Sequence, residues 1–549
     1  MARRTSTNDL QRAPGIGPSL AQDLRDLGVH RLADLRRRDP ERLYERLHQL
    51  RGVRQDPCVL YAFRCAAYFA RTQRPRPHLL KWWNWKGRRL GLTLLLSPAA
   101  GGCASPPAPE DPMAVTVRDA FVHAWSAYER YAWGHDEVRP VTKAPQDWHD
   151  VSLLMTPVDA FDTMLLMGLD SSAARAKQLI LERLSFDHDM SVQVFEVTIR
   201  LLGGLLTAYQ MDGDPRFLAL ARDLADRLLP AFGSATGMPY RYVNLRTGAV
   251  RDPLSNPAEI GTLMLEFGTL SKLTNDARYY DAAKRATVAL FERRSTIGLV
   301  GTTIDVETGE WHDRTSHMTG RIDSYYEYLL KSWRLFNDAD FARMWRESIA
   351  AANRYLADEQ PTGLWYGHVD MDTGARVATR YGALDAFLPA VLALGSDLGR
   401  ADRLMSSVYL MWTTFGIEPE QLDYGTMEPV SPGYVLRPEA IESAYYLYTL
   451  TGDVRYREMG RTMVDSVLHH TRAEGGYTSL RSVVTREQAD RMESFFLAET
   501  LKYAYLLFAR PETLDLQAVV FNTEAHPIRP TWRPGSSEST AGRIEGPRN

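Results

Sequence analysis

At 549 residues with 44% hydrophobic side chains, the chain is long enough for more than one domain and apolar enough for a large core. Its formal net charge of −3 gives the molecule as a whole no pull on nucleic acid or anionic membrane. Only three cysteines occur, Cys58, Cys65 and Cys103, so everything beyond position 103 lacks an internal disulfide and a thiolate metal site.

Residues 1–88 are rich in Arg, whereas the remainder is acidic on balance. The stretch APGIGPSLAQDLRDLGVHRLADL sets Gly15 and Gly17 between helix-forming stretches, the pattern of a small helix-hairpin-helix domain. Glycines at such a turn let the backbone approach a phosphate, and the next helix N-terminus can bind it. The motif is compatible with a DNA contact, and also with a structural or protein-contacting module. Cys58 and Cys65, seven apart in CVLYAFRC, read as thiols packed along one helix. Trp82, Trp83 and Trp85 have the chemistry to stack on bases, but packing within the unit is the preferred reading. Through DPCVLYAFRCAAYFA to LLKWWNWKGR, the segment resembles the short helix-hairpin-helix proteins labelled pathogenicity locus.

Residues 89–112 read as a lipoprotein-signal-like segment and a linker. KGRRLGLTLLLSPAAGGCAS has a basic start, a short apolar run and small residues before Cys103, which would accept a lipid anchor. The run is too short to span a bilayer. Such signals belong at an N-terminus, so its internal position is read as the joining of two genes, one ending near Arg88. The expected location is then the bacterial periplasm or outer membrane, as a lipoprotein, or the cytoplasm if the signal is not used.

Residues 113–530 read as one all-α domain. Amphipathic segments recur at 115–133, 192–211, 214–231, 258–273, 276–293, 321–336, 340–356, 382–398, 400–415, 438–450, 453–470 and 490–508, with weaker ones over 159–184. Between them lie strand-like hairpins, RYVNLRTGAV, GTTIDVETGEW and YGHVDMDTGAR, with Thr247-Gly248, Thr308-Gly309 and Thr373-Gly374 at matching places. Repeated helix pairs can close into an α/α toroid, with the hairpins at one end and the helix starts lining a cavity. Residues 531–549, rich in Ser, Gly, Arg and Pro, are expected to be a disordered tail.

Carboxylates recur inside runs too apolar and aromatic for a solvated face: Glu196 in FEVTIR, Asp323 in RIDSYYEYL, Glu439 and Glu442 in RPEAIES, and Glu493 and Glu499 in MESFFLAETLKY. Buried acids are costly unless paired, bound to metal or used in chemistry. Glu196 and Arg200 stand four apart, and Glu439 and Glu442 three apart, each pair on one helix face.

These motifs, with FNTEAHP, AWSAYERYAWGHDEVRP, VDAFDTMLLMGL and NPAEIGTLMLEFGTLSKLT, closely resemble glycoside hydrolase family 47, the calcium-dependent α-1,2-mannosidases, over nearly all of 115–527. The resemblance implies an (α/α)7 barrel and an inverting exo-mannosidase acting on α-1,2-linked mannose oligosaccharides or glycoprotein glycans. It implies Glu196, or Asp323, as general acid and Glu439 as base. It implies Ca²⁺ bound directly by Thr523, with Glu442, Glu499 and Glu524 holding its waters. Phe495 is implied to stack under the sugar, and Arg200, Glu259, Arg321, Arg437 and Glu499 to contact it. Asp385 stands in GALDAFLPAVLALG where the family leads us to expect His, which puts one substrate contact in doubt. The alternative is a mannose-glycan-binding relative with little turnover; nucleic acid is not an expected partner of this domain.

Overall fold

Aspartate and left-handed residues punctuate the helices of this chain. An inner helix ends on a residue with positive φ (Gly213, Asn275, Asn337, Ser396 or Gly452), and the next residue is an aspartate. That aspartate (Asp214, Asp276, Asp338, Asp397 or Asp453) accepts a backbone N–H from the first turn of the following outer helix. One residue terminates a helix by turning left and the next caps a new one, so consecutive helices fold back as antiparallel pairs.

The computed structural model describes residues 9–51, 57–72, 77–85 and 110–532. The chain divides into two units, residues 1–107 and 108–549. In the first, helices Pro18–Asp26, Pro40–Arg51 and Pro57–Arg71 enclose a separate core around Leu24, Leu35, Leu47 and Phe63. The arm before the Gly15-Ile16-Gly17 turn is a single 3₁₀ turn, Leu10–Arg12, rather than a full helix. Gly15 has φ +83°, and a Cβ there would meet Trp82 at 2.9 Å, so the turn is built against that indole. Trp85 is buried and its indole N–H donates to the Leu79 carbonyl, so both rings pack within the unit. Cys58 and Cys65 share one helix and are not joined in a disulfide, Cys65 buried and Cys58 exposed. The lipoprotein-like segment with Cys103, and the tail beyond residue 532, lie outside the described residues.

In the second unit the described residues form fourteen helices in seven pairs. The inner helices are 155–166, 194–212, 257–274, 323–336, 384–394, 439–451 and 494–508. Each packs against its neighbour in chain order, and the last closes on the first through Phe496–Thr500 against Met155–Leu166. The outer helix Pro112–Tyr131 packs on Leu501–Phe508, completing the (α/α)7 ring. The predicted segments match these helices to within a few residues.

The near end carries a repeated device. A short strand leading into an inner helix pairs with the hairpin that follows the next outer helix, giving the sheets 191–193/242–244/250–251, 254–255/303–305/311–313, 315–316/368–370/376–378 and 380–382/421–423/428–431. In the first three, Asn244, Asp305 and Asp370 each accept two backbone N–H groups from their own loop, and the Thr-Gly tip takes Gly248, Gly309 and Gly374 to φ near +70°. The fourth loop, Asp423-Tyr424-Gly425-Thr426-Met427, has the same pattern with Met427 at φ 60° in the glycine place.

The C-terminal hairpin Val520–Phe521/Pro527–Ile528 enters the barrel from the opposite end. Its base packs near the helix C-termini, Ile528 with Leu265 and Leu335 and Trp532 stacked on Phe336, while its tip reaches Tyr328 and Arg200 inside. Gly203 and Gly204 make room: a Cβ at Gly203 would lie 2.6 Å from the Asn522 amide, and one at Gly204 would lie 2.7 Å from Val158.

Candidate active site

The inner helix starts and the hairpin tip surround a cavity of about 390 Å³. The twelve residues given site roles from the sequence line it: Glu196, Arg200, Glu259, Arg321, Asp323, Arg437, Glu439, Glu442, Phe495, Glu499, Thr523 and Glu524. Glu493, also singled out as a buried acid, is buried and paired with Arg491 at 2.5 Å but does not line the cavity. Two π-turns, Thr198–Leu202 and Phe496–Thr500, interrupt inner helices at Arg200 and Glu499. Such one-residue irregularities turn a side chain off its regular helical bearing, and they cluster at functional sites.

Arg200 is the central cation. It is buried, its Nε donates to Glu196 at 2.9 Å, its Nη1 pairs with Glu524, and Asp159 lies 3.7 Å away. Arg437 is held by Glu420 at 2.9 and 3.1 Å. Both guanidinium carbons lie 5.7 Å from the centre of the Phe495 ring, which faces the cavity between them.

Carboxylates outnumber these cations. Burial pushes Asp323 up to about 6, Glu442 to about 7 and Glu439 and Glu524 to about 8. Glu499 is driven well above its ordinary value by burial first, then by the charges of Glu524 and Glu439. One oxygen of Glu439 is buried without a hydrogen-bond partner. Thr523 stands at the hairpin tip, its backbone N–H donating to the Tyr328 hydroxyl oxygen at 3.2 Å. Among the described residues no three His, Cys, Asp or Glu side chains converge as direct ligands of one metal ion.

The wall is equally organised. Glu259 is fixed by Gln193 at 2.8 Å, Arg241 at 3.1 Å and its own N-cap Asn256. Arg321 adopts φ 81°, unusual for a side chain with a Cβ, and its carbonyl accepts the Ala258 N–H at 2.8 Å. Asp385 lies between the lining residues Leu384 and Phe387 but is itself wholly buried and does not line the cavity.

Sequence reading missed residues both on the cavity wall and behind it. Glu327 lines the cavity and pairs with Lys331, which lies 4.0 Å from Glu442. Asp162 is bound by Lys502 at 2.7 Å and His526 at 2.7 Å, all three buried, and Asp159 accepts the Ser494 hydroxyl. Their signal was present as spacing: Asp323, Glu327 and Lys331 at intervals of four, and Asp159 and Asp162 three apart, each set on one inner face.

Residues 120–530 match the sequence profile of glycosyl hydrolase family 47. The chain belongs to that family. It is a glycoside hydrolase with an (α/α)7 barrel, 36% identical to an Arabidopsis thaliana alpha-mannosidase I over 75% of this chain and 76% of the relative. It is 37% identical to the endoplasmic reticulum mannosyl-oligosaccharide 1,2-alpha-mannosidase of Homo sapiens over 76% of this chain and 64% of the human protein. The alpha-1,2-mannosidase from Trichoderma reesei superposes with a TM-score of 0.71 at 28% identity, covering 76% of this chain and 99% of that one. Residues 3–90 match the family described as pathogenicity locus.

These relatives correct the expected setting. They are plant, human and fungal proteins, the human one named for the endoplasmic reticulum, which overturns the reading as a bacterial periplasmic or outer-membrane lipoprotein. That reading rested on one short apolar run before Cys103, a pattern with little physical content outside an N-terminus. The lipid anchor is withdrawn with it. No helix among the described residues is long and apolar enough to cross a membrane.

Proposed function

We propose that this family 47 enzyme is a calcium-dependent, inverting exo-α-1,2-mannosidase that releases mannose from α-1,2-linked mannose oligosaccharides or N-glycan-type chains. The observation that carries the reading is the meeting of Glu439, Asp323, Glu196, Phe495 and Thr523 around one cavity in a chain 37% identical to a mannosyl-oligosaccharide 1,2-alpha-mannosidase.

The terminal mannose stands on Phe495, and Arg200, Arg437 and Glu259 contact its hydroxyls. Glu439 takes a proton from the attacking water on one face of the ring. An acid on the other side protonates the departing oxygen, so configuration inverts. Of the two acid candidates, Asp323 is the one that burial holds protonated towards neutrality, pushed up to about 6. Glu196, set against Arg200, is the alternative acting through a water.

The cavity floor suits a hard divalent cation. Thr523, Glu442, Glu499 and Glu524 offer only oxygen donors, and the three carboxyls, once ionised, would carry more negative charge than Arg200 and Lys331 neutralise. Thr523 would bind Ca²⁺ directly and the three glutamates would hold its waters. When bound, the ion polarises and orients the sugar hydroxyls.

The test is mannose release from α-1,2-mannobiose in Ca²⁺ and in EDTA. Release should require Ca²⁺, and Glu439→Gln should lower kcat by about 10²- to 10⁴-fold. Folded, calcium-loaded protein that binds the disaccharide without releasing mannose would favour the binding-relative reading. Release unaffected by exhaustive chelation would remove the calcium assignment.

A further inference from the structure

Glu266 is a buried carboxyl that the mechanism above does not use. It lies on the inner helix segment Met264–Thr274, is wholly buried and does not line the cavity. Its Oε1 accepts two hydrogen bonds, from the Tyr328 hydroxyl at 2.6 Å and from the Asn522 side-chain amide at 2.8 Å. Its Oε2 is buried without a hydrogen-bond partner, so this side chain grips its neighbours through one oxygen.

Both bonds lead to the tip of the C-terminal hairpin. The Tyr328 hydroxyl oxygen accepts the backbone N–H of Thr523 at 3.2 Å. The Asn522 amide also donates to the Ile199 carbonyl at 2.9 Å, and its Oδ1 accepts the N–H groups of Glu524 at 3.0 Å and His526 at 2.8 Å. Glu266 Oε1 is therefore the point where the support of Thr523 and that of the turn after it meet. A hydroxyl carries one hydrogen. By taking that hydrogen, Glu266 turns a lone pair of Tyr328 towards the Thr523 N–H; without the carboxyl, the same hydrogen is free to rotate against it.

We propose that Glu266 and Tyr328 are positioning residues for Thr523, holding its backbone in the place from which it binds the cation. This rests on the calcium reading given above. Groups behind a metal ligand fix its orientation, and their loss weakens metal binding. The tip has independent anchors: Lys502 Nζ donates to the Ala525 carbonyl at 2.7 Å, and Arg200 pairs with Glu524. Removing the Tyr328 hydroxyl therefore leaves the hairpin in place and loosens Thr523 itself.

The experiment strips the full chain with a chelator and titrates it with Ca²⁺ by calorimetry, well below the Tm of each calcium-free protein. Tyr328→Phe and Glu266→Leu should each weaken Ca²⁺ binding by about 10- to 100-fold. Glu266→Gln, whose amide oxygen can accept the same two bonds, should bind nearly as tightly as the wild type. Gly248→Ala, a backbone change in a distant hairpin, should bind as the wild type does, which separates positioning from a general loss of stability. Wild-type affinity in Tyr328→Phe would overturn the proposal, and that variant keeps the test open where Glu266→Leu fails to fold. Binding by Glu266→Gln as weak as that of Glu266→Leu would mean that the carboxyl acts by charge and not by position, and would overturn it too. No Ca²⁺ binding by the wild type, or undiminished binding by Thr523→Val, would instead remove the calcium assignment on which the inference rests.

Discussion

Burial holds protons on Glu439, Glu442 and Glu524 up to about 8, 7 and 8 in the calcium-free protein, so Glu439 can act as base only once bound cation and substrate have drawn its proton off. Two consequences follow at the scale of single residues. Calcium uptake must release protons, so affinity for Ca²⁺ should rise between pH 5 and pH 8. Calorimetry in buffers of different ionisation enthalpy reads that release directly, and a pH-independent affinity would contradict it. The linkage to stability has a fixed sign. Folded pKa values raised above the ordinary 4.5 give a contribution that is complete below about pH 4.5 and is lost as pH rises through 7 to 8. The calcium-free protein should therefore lose Tm over that window, and Ca²⁺ should restore more at pH 8 than at pH 5. The first-layer residues were legible because the motifs that carry them are dense and aromatic. Asp385 was noticed only as a departure; that it is wholly buried behind the lining residues Leu384 and Phe387 is something no spacing reveals.

At the scale of elements, helix ends and hairpin tips repeat with different residues doing the same job. The Thr-Gly tips were readable because only glycine turns left at low cost, and Asp423–Met427 was missed because Met427 occupies that conformation with a Cβ. Gly248 has φ 71°, so Gly248→Ala should cost about 1–2 kcal/mol in thermal or denaturant unfolding while leaving kcat unchanged. The inner helices carry a heavier obligation. Asp162, Lys502 and His526 are buried together where the C-terminal hairpin meets helix Met155–Leu166. Lys502→Met would leave the buried Asp162 with His526 as its ion-pair partner and should destabilise the unit by about 3–5 kcal/mol, measured as a fall in denaturant midpoint. A loss below 1 kcal/mol would mean that the hairpin is not held by this charge cluster.

The second unit is a ring of helix pairs closed at one end by the hairpin Val520–Phe521/Pro527–Ile528 and lined at the other by helix starts. Periodicity located the helices, their repetition in pairs was compatible with a toroid, and the resemblance to family 47 supplied the seven-pair barrel. What periodicity could not give was the plug, because a hairpin with two strands of two residues each carries almost no hydrophobic pattern and its close approach depends on Gly203 of another helix. The internal lipoprotein reading failed for the converse reason: a short apolar run looks informative without a context to restrict it. Residues 1–107 have their own core, so the chain from 108 should fold and release mannose at the rate of the full chain. The most direct test of the account is the anomeric form of the first mannose released from an α-1,2-linked oligosaccharide with Ca²⁺ present, followed by proton NMR before mutarotation. Glu439 acting on water opposite the departing oxygen predicts β-mannose; α-mannose as the first product, or no release by folded, calcium-loaded enzyme, would contradict it.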